Sequence, residues 1–164
     1  MGDGYILQCK KCGYEQYIHL GVGFSFYRVY QETVNAAKNG KYGETLRTFL
    51  EEHPDGILNC SNVLLQCTEC GHFETGLDLS MYIPKRDIMT EEGRSYVIPW
   101  LLEDYELIGH YDHRCRKCGA GMKTVSEEAT GTDDSRYGNK AGETGIACPR
   151  CGKPLWKAGR IMWD

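Results

Sequence analysis

The chain contains no apolar run approaching the roughly 20 residues that cross a bilayer. Its first residues, MGDGYILQC, have no charged segment leading into an apolar one. Ile6 stands where N-myristoylation requires Ser or Thr, and the final IMWD is no prenylation box. Neither export nor anchoring is expected, so the expectation is a cytoplasmic protein with no membrane partner. Nucleotide loops are missing too. Gly21 and Gly23 could open a dinucleotide fingerprint, but Phe26 takes the place of its third glycine, and no Gly-Lys-Ser/Thr phosphate loop is present. No Ser/His/Asp order and no carboxylate pair stands out, so no catalytic residue is assigned and an enzyme is not expected. With 41% hydrophobic and 11% aromatic residues, the 164-residue chain has the composition of a folded protein of one ordinary domain or two small ones.

Cysteine is what the sequence does have. Eight of the nine form four knuckles, Cys9/Cys12, Cys67/Cys70, Cys115/Cys118 and Cys148/Cys151, each reading Cys-x-x-Cys-Gly. Without an export signal this pattern points to metal before disulfides, and the Asn59-Cys60-Ser61 sequon is one on paper only. Two intervening residues let both sulfurs converge on one ion, and the following glycine supplies the positive φ that turns the backbone beneath it. A thioredoxin-like dithiol would be a single motif at a helix N-terminus, whereas strand-like GYILQ and NVLLQ precede the first two knuckles here. Four knuckles make two four-cysteine sites. Sequential, nested and crossed pairings all remain open. Sequential pairing leaves the shortest intervening segments, 54 and 29 residues, and is the expectation on chain entropy.

These motifs resemble the knuckles of zinc ribbons in the broad rubredoxin-like class, and the chain is similar to small uncharacterised bacterial proteins of that kind. The resemblance covers the knuckles and their flanks. It implies an α+β protein of two zinc-ribbon β-hairpin subdomains, each presenting two Cys-x-x-Cys-Gly turns to one metal, the first with a helical insert. The expected segments are 1–84 for the first ribbon, 85–112 for a connection and 113–164 for the second ribbon, with a mobile loop at 126–145. Two Zn2+ are the expected cofactors, with iron as the alternative. CKKCGYEQY is close to the first rubredoxin knuckle and CPRCG resembles the second, but sequential pairing puts them in different sites, which favours zinc. A rubrerythrin-like di-iron bundle is excluded because its helical Glu-x-x-His pairs are missing; the spacing Glu69 to His72 straddles a knuckle. Four thiolates leave a metal no open position, so the sites are expected to be structural.

Between the first two knuckles, Ser25 is expected to cap a helix from Phe26, with Tyr27, Tyr30, Val34 and Ala37 as its stripe and Asn39-Gly40 as its end. A second helix is expected from Gly43, with Leu46, Phe49 and Leu50 inward, ending at His53-Pro54-Asp55-Gly56. A subdomain boundary is expected within 85–93. Val97, Ile98, Trp100, Leu101 and Leu102 then return to apolar contacts. Cys60 reads as a buried structural thiol. His110 and His113, flanking Asp112, read as surface groups or supports of a nearby site.

The formal charge is −4, and two loaded sites would bring it to about −8, which repels nucleic acid as a whole. The bases are unevenly placed, however. Arg114, Arg116, Lys117, Lys123, Arg150, Lys153, Lys157 and Arg160 fall in the expected second ribbon, with Trp156 and Trp163 among them. Such a surface can stack on and neutralise a single strand. A nucleic-acid binder is therefore the alternative to a non-catalytic protein-interaction module, which is the first reading because bases near knuckles also offset thiolate charge. An iron electron carrier is the second alternative.

Overall fold

The computed structural model describes residues 2–85, 104–125 and 142–163. In chain order these contain β1 (Gly2–Gln8), β2 (Glu15–Leu20), α1 (Phe26–Lys38), α2 (Glu44–Glu52), β3 (Ile57–Leu58), β4 (Asn62–Cys67), β5 (Phe73–Leu77), β6 (Met81–Pro84), β7 (Tyr105–Gly109), β8 (Met122–Thr124), β9 (Gly142–Ala147) and β10 (Pro154–Trp163). The fold is α+β, with three antiparallel sheets in the orders β2-β1-β10-β9, β3-β6-β7 and β5-β4-β8. It divides into two compact units that interleave along the chain. A ribbon unit comprises Met1–Gly21, Asn62–Gly76 and Asp112–Trp163, and a helical unit comprises Val22–Ser61 and Leu77–Tyr111. The expected consecutive segments 1–84, 85–112 and 113–164 cut across both.

In the ribbon unit the two ends of the chain meet at the centre of one sheet. β1 and β10 run antiparallel from Gly2 opposite Trp163 to Gln8 opposite Trp156, and each forms a hairpin with its sequence neighbour, β2 or β9. Alternation sends Tyr5 and Leu7 of β1, with Ile18 of β2, into a core shared with Ile146 and Leu155. At the open end of the strands Arg160 forks onto Asp3, with Nε 2.8 Å from Oδ1 and Nη2 2.6 Å from Oδ2. The guanidinium lowers the Asp3 pKa, and the Gly4 amide adds to the effect. Trp163 Nε1 donates to the carbonyls of Asp3 and Leu20. Its ring lies over Gly2, where a Cβ would stand 2.3 Å from it. The last four residues of the expected loop, 142–145, belong to β9, where the buried Thr144 hydroxyl donates to the Leu155 carbonyl at 2.9 Å.

The inner sheet β5-β4-β8 belongs to the same unit. Leu64 joins the core of the terminal hairpins, while Leu65 and Cys67 join a second cluster with Cys115 and Met122. Because both faces of β4 are covered, its sequence reads NVLLQC without polar alternation.

The helical unit follows the sequence closely. α1 starts at Phe26 after Ser25, although the serine side chain makes no capping bond. It ends in a Schellman turn, with Gly40 at φ 78°, the Gly40 amide on the Ala37 carbonyl and the Lys41 amide on that of Ala36. The buried stripe is Phe26, Tyr30, Thr33 and Ala37: the expected Tyr30 and Ala37 hold, Val34 packs partly buried beside them, and Tyr27 is 52% exposed. α2 buries Leu46, Phe49 and Leu50 as expected. With Leu58, Cys60, Leu79 and Met81 these residues form one apolar core. Residues 86–93 of the expected boundary, the apolar group Val97, Ile98, Trp100, Leu101 and Leu102, and 126–141 of the expected loop lie outside the described residues. Among the described residues no helix is long and apolar enough to cross a membrane.

Candidate metal centres

All four knuckles adopt one local geometry. Each sits at the turn of a hairpin, and the glycine after its second cysteine has positive φ: 68° at Gly13, 69° at Gly71, 75° at Gly119 and 69° at Gly152. A Cβ would meet nothing within 4 Å at any of them, so glycine is required by the left-handed backbone and not by crowding. The first cysteine's amide donates to the carbonyl five residues on, as from Cys9 to Tyr14, Cys67 to His72, Cys115 to Ala120 and Cys148 to Lys153, at 2.7–2.8 Å. That bond closes the loop and leaves the next amides facing the sulfur. The Lys117 N–H lies 3.4 Å from Cys115 Sγ.

The eight cysteines gather into two groups of four, and the pairing is nested. Cys9 and Cys12 meet Cys148 and Cys151, and Cys67 and Cys70 meet Cys115 and Cys118. This corrects the sequential expectation. Each doubling of a closed loop costs only about 0.6 kcal/mol, so even the 135 residues between Cys12 and Cys148 are a weak penalty. The pairing of β1 with β10 outweighs it. Since β1 runs into its knuckle and β10 runs out of its own, their antiparallel register brings both turns to the same end of the sheet. The inner group repeats the arrangement through β4 and β8, with Cys67 opposite Met122 and Gln66 opposite Lys123.

The spacing of the sulfurs suits a tetrahedral ion. Across the knuckles, Cys9 and Cys151 are 3.5 Å apart and Cys12 and Cys148 3.6 Å. In the inner group Cys67 and Cys118 are 3.4 Å apart and Cys70 and Cys115 3.7 Å. Four sulfurs at about 2.3 Å around one zinc stand about 3.8 Å apart, whereas a disulfide needs about 2.05 Å. All nine cysteines are free thiols, and each group of four is able to hold a metal ion.

The thiols of each group are electrostatically unequal. The Cys12 amide, then that of Lys11, points at Cys9 and draws it down to about 6, and the amides of Cys70 and Glu69 do the same for Cys67. Cys12 receives the Tyr14 amide, which lowers it. Lost hydration and its neighbours Cys148, Cys9 and Cys151 outweigh that and push it up to about 12. Cys118 likewise receives the Ala120 amide but is pushed up to about 12, chiefly by Cys67 and Cys70. Four close thiols cannot all ionise without a cation, so a metal must displace protons as it binds.

The two groups differ in their surroundings. Cys9 and Cys148 are buried and Cys12 and Cys151 half-buried, whereas in the inner group Cys70 and Cys118 are exposed beside buried Cys67 and Cys115. Around the terminal group, Lys10 Nζ lies 3.2 Å from the centre of the Trp156 ring and the Arg150 guanidinium 5.6 Å from that of Tyr14. Tyr14 also donates from its hydroxyl to Gln16.

Nested pairing also redistributes the bases. Arg114, Arg116, Lys117 and Lys123 lie on the inner ribbon, while Arg150, Lys153, Lys157, Arg160, Trp156 and Trp163 lie on the terminal one. No single basic second ribbon gathers them. Arg114 pairs with Asp112, Arg116 with Glu74 and Arg160 with Asp3. Trp163 packs against His19 at 5.2 Å, and Lys157 Nζ lies 4.9 Å from the Tyr5 ring. His110 shares a 3.0 Å hydrogen bond with Ser80 Oγ, outside both groups.

One clue to the pairing was present in the sequence. Leu7-Gln8-Cys9 and Leu65-Gln66-Cys67 are the same leading strand repeated, so these two knuckles play the same part in two ribbons and do not complement each other. Compared with protein-family models, curated proteins and solved structures, the chain matches none.

Proposed function

We propose that this is a zinc-binding, non-catalytic protein whose two structural four-thiolate sites fix the ribbon unit's surfaces for a protein partner. The carrying observation is the closure of both groups: four sulfurs at tetrahedral spacing leave no coordination position for water or substrate. Zinc suits such a donor set without requiring a redox partner. Freshly purified protein is expected to hold two equivalents of zinc by elemental analysis, and protein isolated without metal would overturn the reading. A pull-down from native extract, with and without nuclease, tests the partner. Captured protein that survives nuclease supports the module, and capture abolished by nuclease supports the nucleic-acid reading.

A second reading concerns the terminal site alone. Nested pairing gathers the cysteines of CKKCGY and CPRCG, the two rubredoxin-like halves, into one group of four, which removes the objection drawn from sequential pairing. Iron there gives an electron carrier, recognised by visible thiolate-to-iron absorption. A colourless preparation carrying two zinc ions contradicts it.

A further inference from the structure

The two sites share donor set and sulfur spacing, so a difference in reactivity has to come from access. In the terminal site the sulfurs belong to a core that includes Tyr5, Leu7, Ile18, Phe73 and Leu155. Among the described residues, the inner site has only Leu65 and Met122 buried beside its cysteines, with Val63 and Ala120 partly so. Two of its ligands, Cys70 and Cys118, are exposed. Each faces a buried thiol of the opposite knuckle, Cys118 with Cys67 at 3.4 Å and Cys70 with Cys115 at 3.7 Å. An open groove of about 560 Å³ runs beside the site, lined by Gln66, Cys67, Thr68, Glu69, Lys123 and Thr124 among others. A small oxidant can therefore reach the inner sulfurs directly, and an exposed thiolate is the one that reacts.

We propose that the inner cluster is a peroxide-sensitive thiol site, oxidised at exposed Cys118 or Cys70 to a cross-knuckle disulfide with Cys67 or Cys115, while the terminal cluster remains intact. This rests on the reading that both sites carry metal. The exposed thiolate attacks the O–O bond of a hydroperoxide, here hydrogen peroxide. Its sulfur becomes a sulfenic acid, and hydroxide leaves and takes a proton to give water. The facing thiolate then attacks that sulfur, the S–O bond breaks and a second protonated hydroxide leaves as water. Two thiolates thus give two electrons, one peroxide becomes two waters, and one S–S bond forms. Only two inner thiolates remain, too few to hold the ion. The new bond joins the β4–β5 turn to the turn before β8, which β4 and β8 already hold together.

The test uses the full chain loaded with zinc. Metal content is measured first: fewer than two equivalents refutes the underlying reading before oxidation is tried. Hydrogen peroxide is then added, zinc release is followed with a chromogenic chelator, and cysteines are mapped by alkylation and mass spectrometry. One equivalent is expected to leave at least about tenfold faster than the other, together with a Cys67–Cys118 or Cys70–Cys115 disulfide that a dithiol reverses. Release of both equivalents at one rate, or first modification at Cys9, Cys12, Cys148 or Cys151, would overturn the proposal.

Discussion

Among the described residues, the helical unit's buried core has ten members, one of them a cysteine, whereas the inner ribbon's buried cluster has four, two of them cysteines of a metal group. The first can close by removing apolar surface from water. The second is too small for that, and ribbons of this size need a metal or disulfide staple. The helical unit thus closes by side-chain packing, whereas in the ribbon unit packing around the terminal group, through Tyr5, Leu7, Ile18, Phe73 and Leu155, is joined to an inner cluster that depends on its thiols and, on the reading above, on zinc.

The strongest way to break that contrast is chelation. Stripping both ions is expected to cost the ribbon unit on the order of 10 kcal/mol per site, with loss of slow amide exchange along β1, β4, β8 and β10. Helical circular dichroism should persist because, among the described residues, no metal group lies in that unit's core. If helix and ribbon signals vanish at the same chelator concentration, the two units do not differ in this way.

The converse experiment is Leu46→Ala. Leu46 is fully buried, and its truncation should destabilise the helical unit by about 2–5 kcal/mol. The ribbon unit should still bind two equivalents of metal. Loss of metal stoichiometry in this variant would contradict the division.

A smaller effect is expected at a knuckle glycine. Gly119→Ala introduces a Cβ into open space but forces a left-handed backbone on alanine, which costs about 1–2 kcal/mol. Gly119→Asn should recover part of this, since asparagine tolerates that conformation. Equal losses in both variants would point to a steric cause instead.

The mildest distinction is alkaline. Burial pushes the Cys60 thiol up to about 12 from 9.0 and the Tyr30 hydroxyl up to about 12 from 10.0. Both hold their protons longer when folded. The unfolded chain therefore releases them first, and the helical unit's stability should decline from about pH 9 to about pH 12. Cys60 should also resist alkylation at pH 8 until that unit unfolds; rapid labelling of the native protein would contradict its burial.

The two regions were also unequally legible in the sequence. The helices could be placed because their signals are local: Asn39-Gly40 ends α1 and Leu46, Phe49 and Leu50 repeat at helical spacing. Even there, Tyr27 turns outward, because it follows Phe26 by one residue, about 100° round the helix, and Phe26 with Tyr30, Thr33 and Ala37 sets the buried face. In the ribbon unit the eight clustered cysteines were legible from their motif, whereas for their partners the repeated Leu-Gln-Cys at Cys9 and Cys67 was an indirect sign that does not itself name them. Partnership is decided by β1 pairing with β10, a contact between opposite ends of the chain that no local pattern encodes. Entropy alone favoured nearest neighbours, and it was the smaller effect. The basic residues from Arg114 to Arg160 read as one surface for the same reason, and nesting divides them between two ribbons.

The nested pairing can be tested directly by cadmium NMR on protein substituted with two cadmium ions. Two resonances in the four-thiolate range are predicted. Proton–cadmium couplings should link one to Cys9, Cys12, Cys148 and Cys151 and the other to Cys67, Cys70, Cys115 and Cys118. A cadmium coupled to both Cys12 and Cys67 would contradict the account.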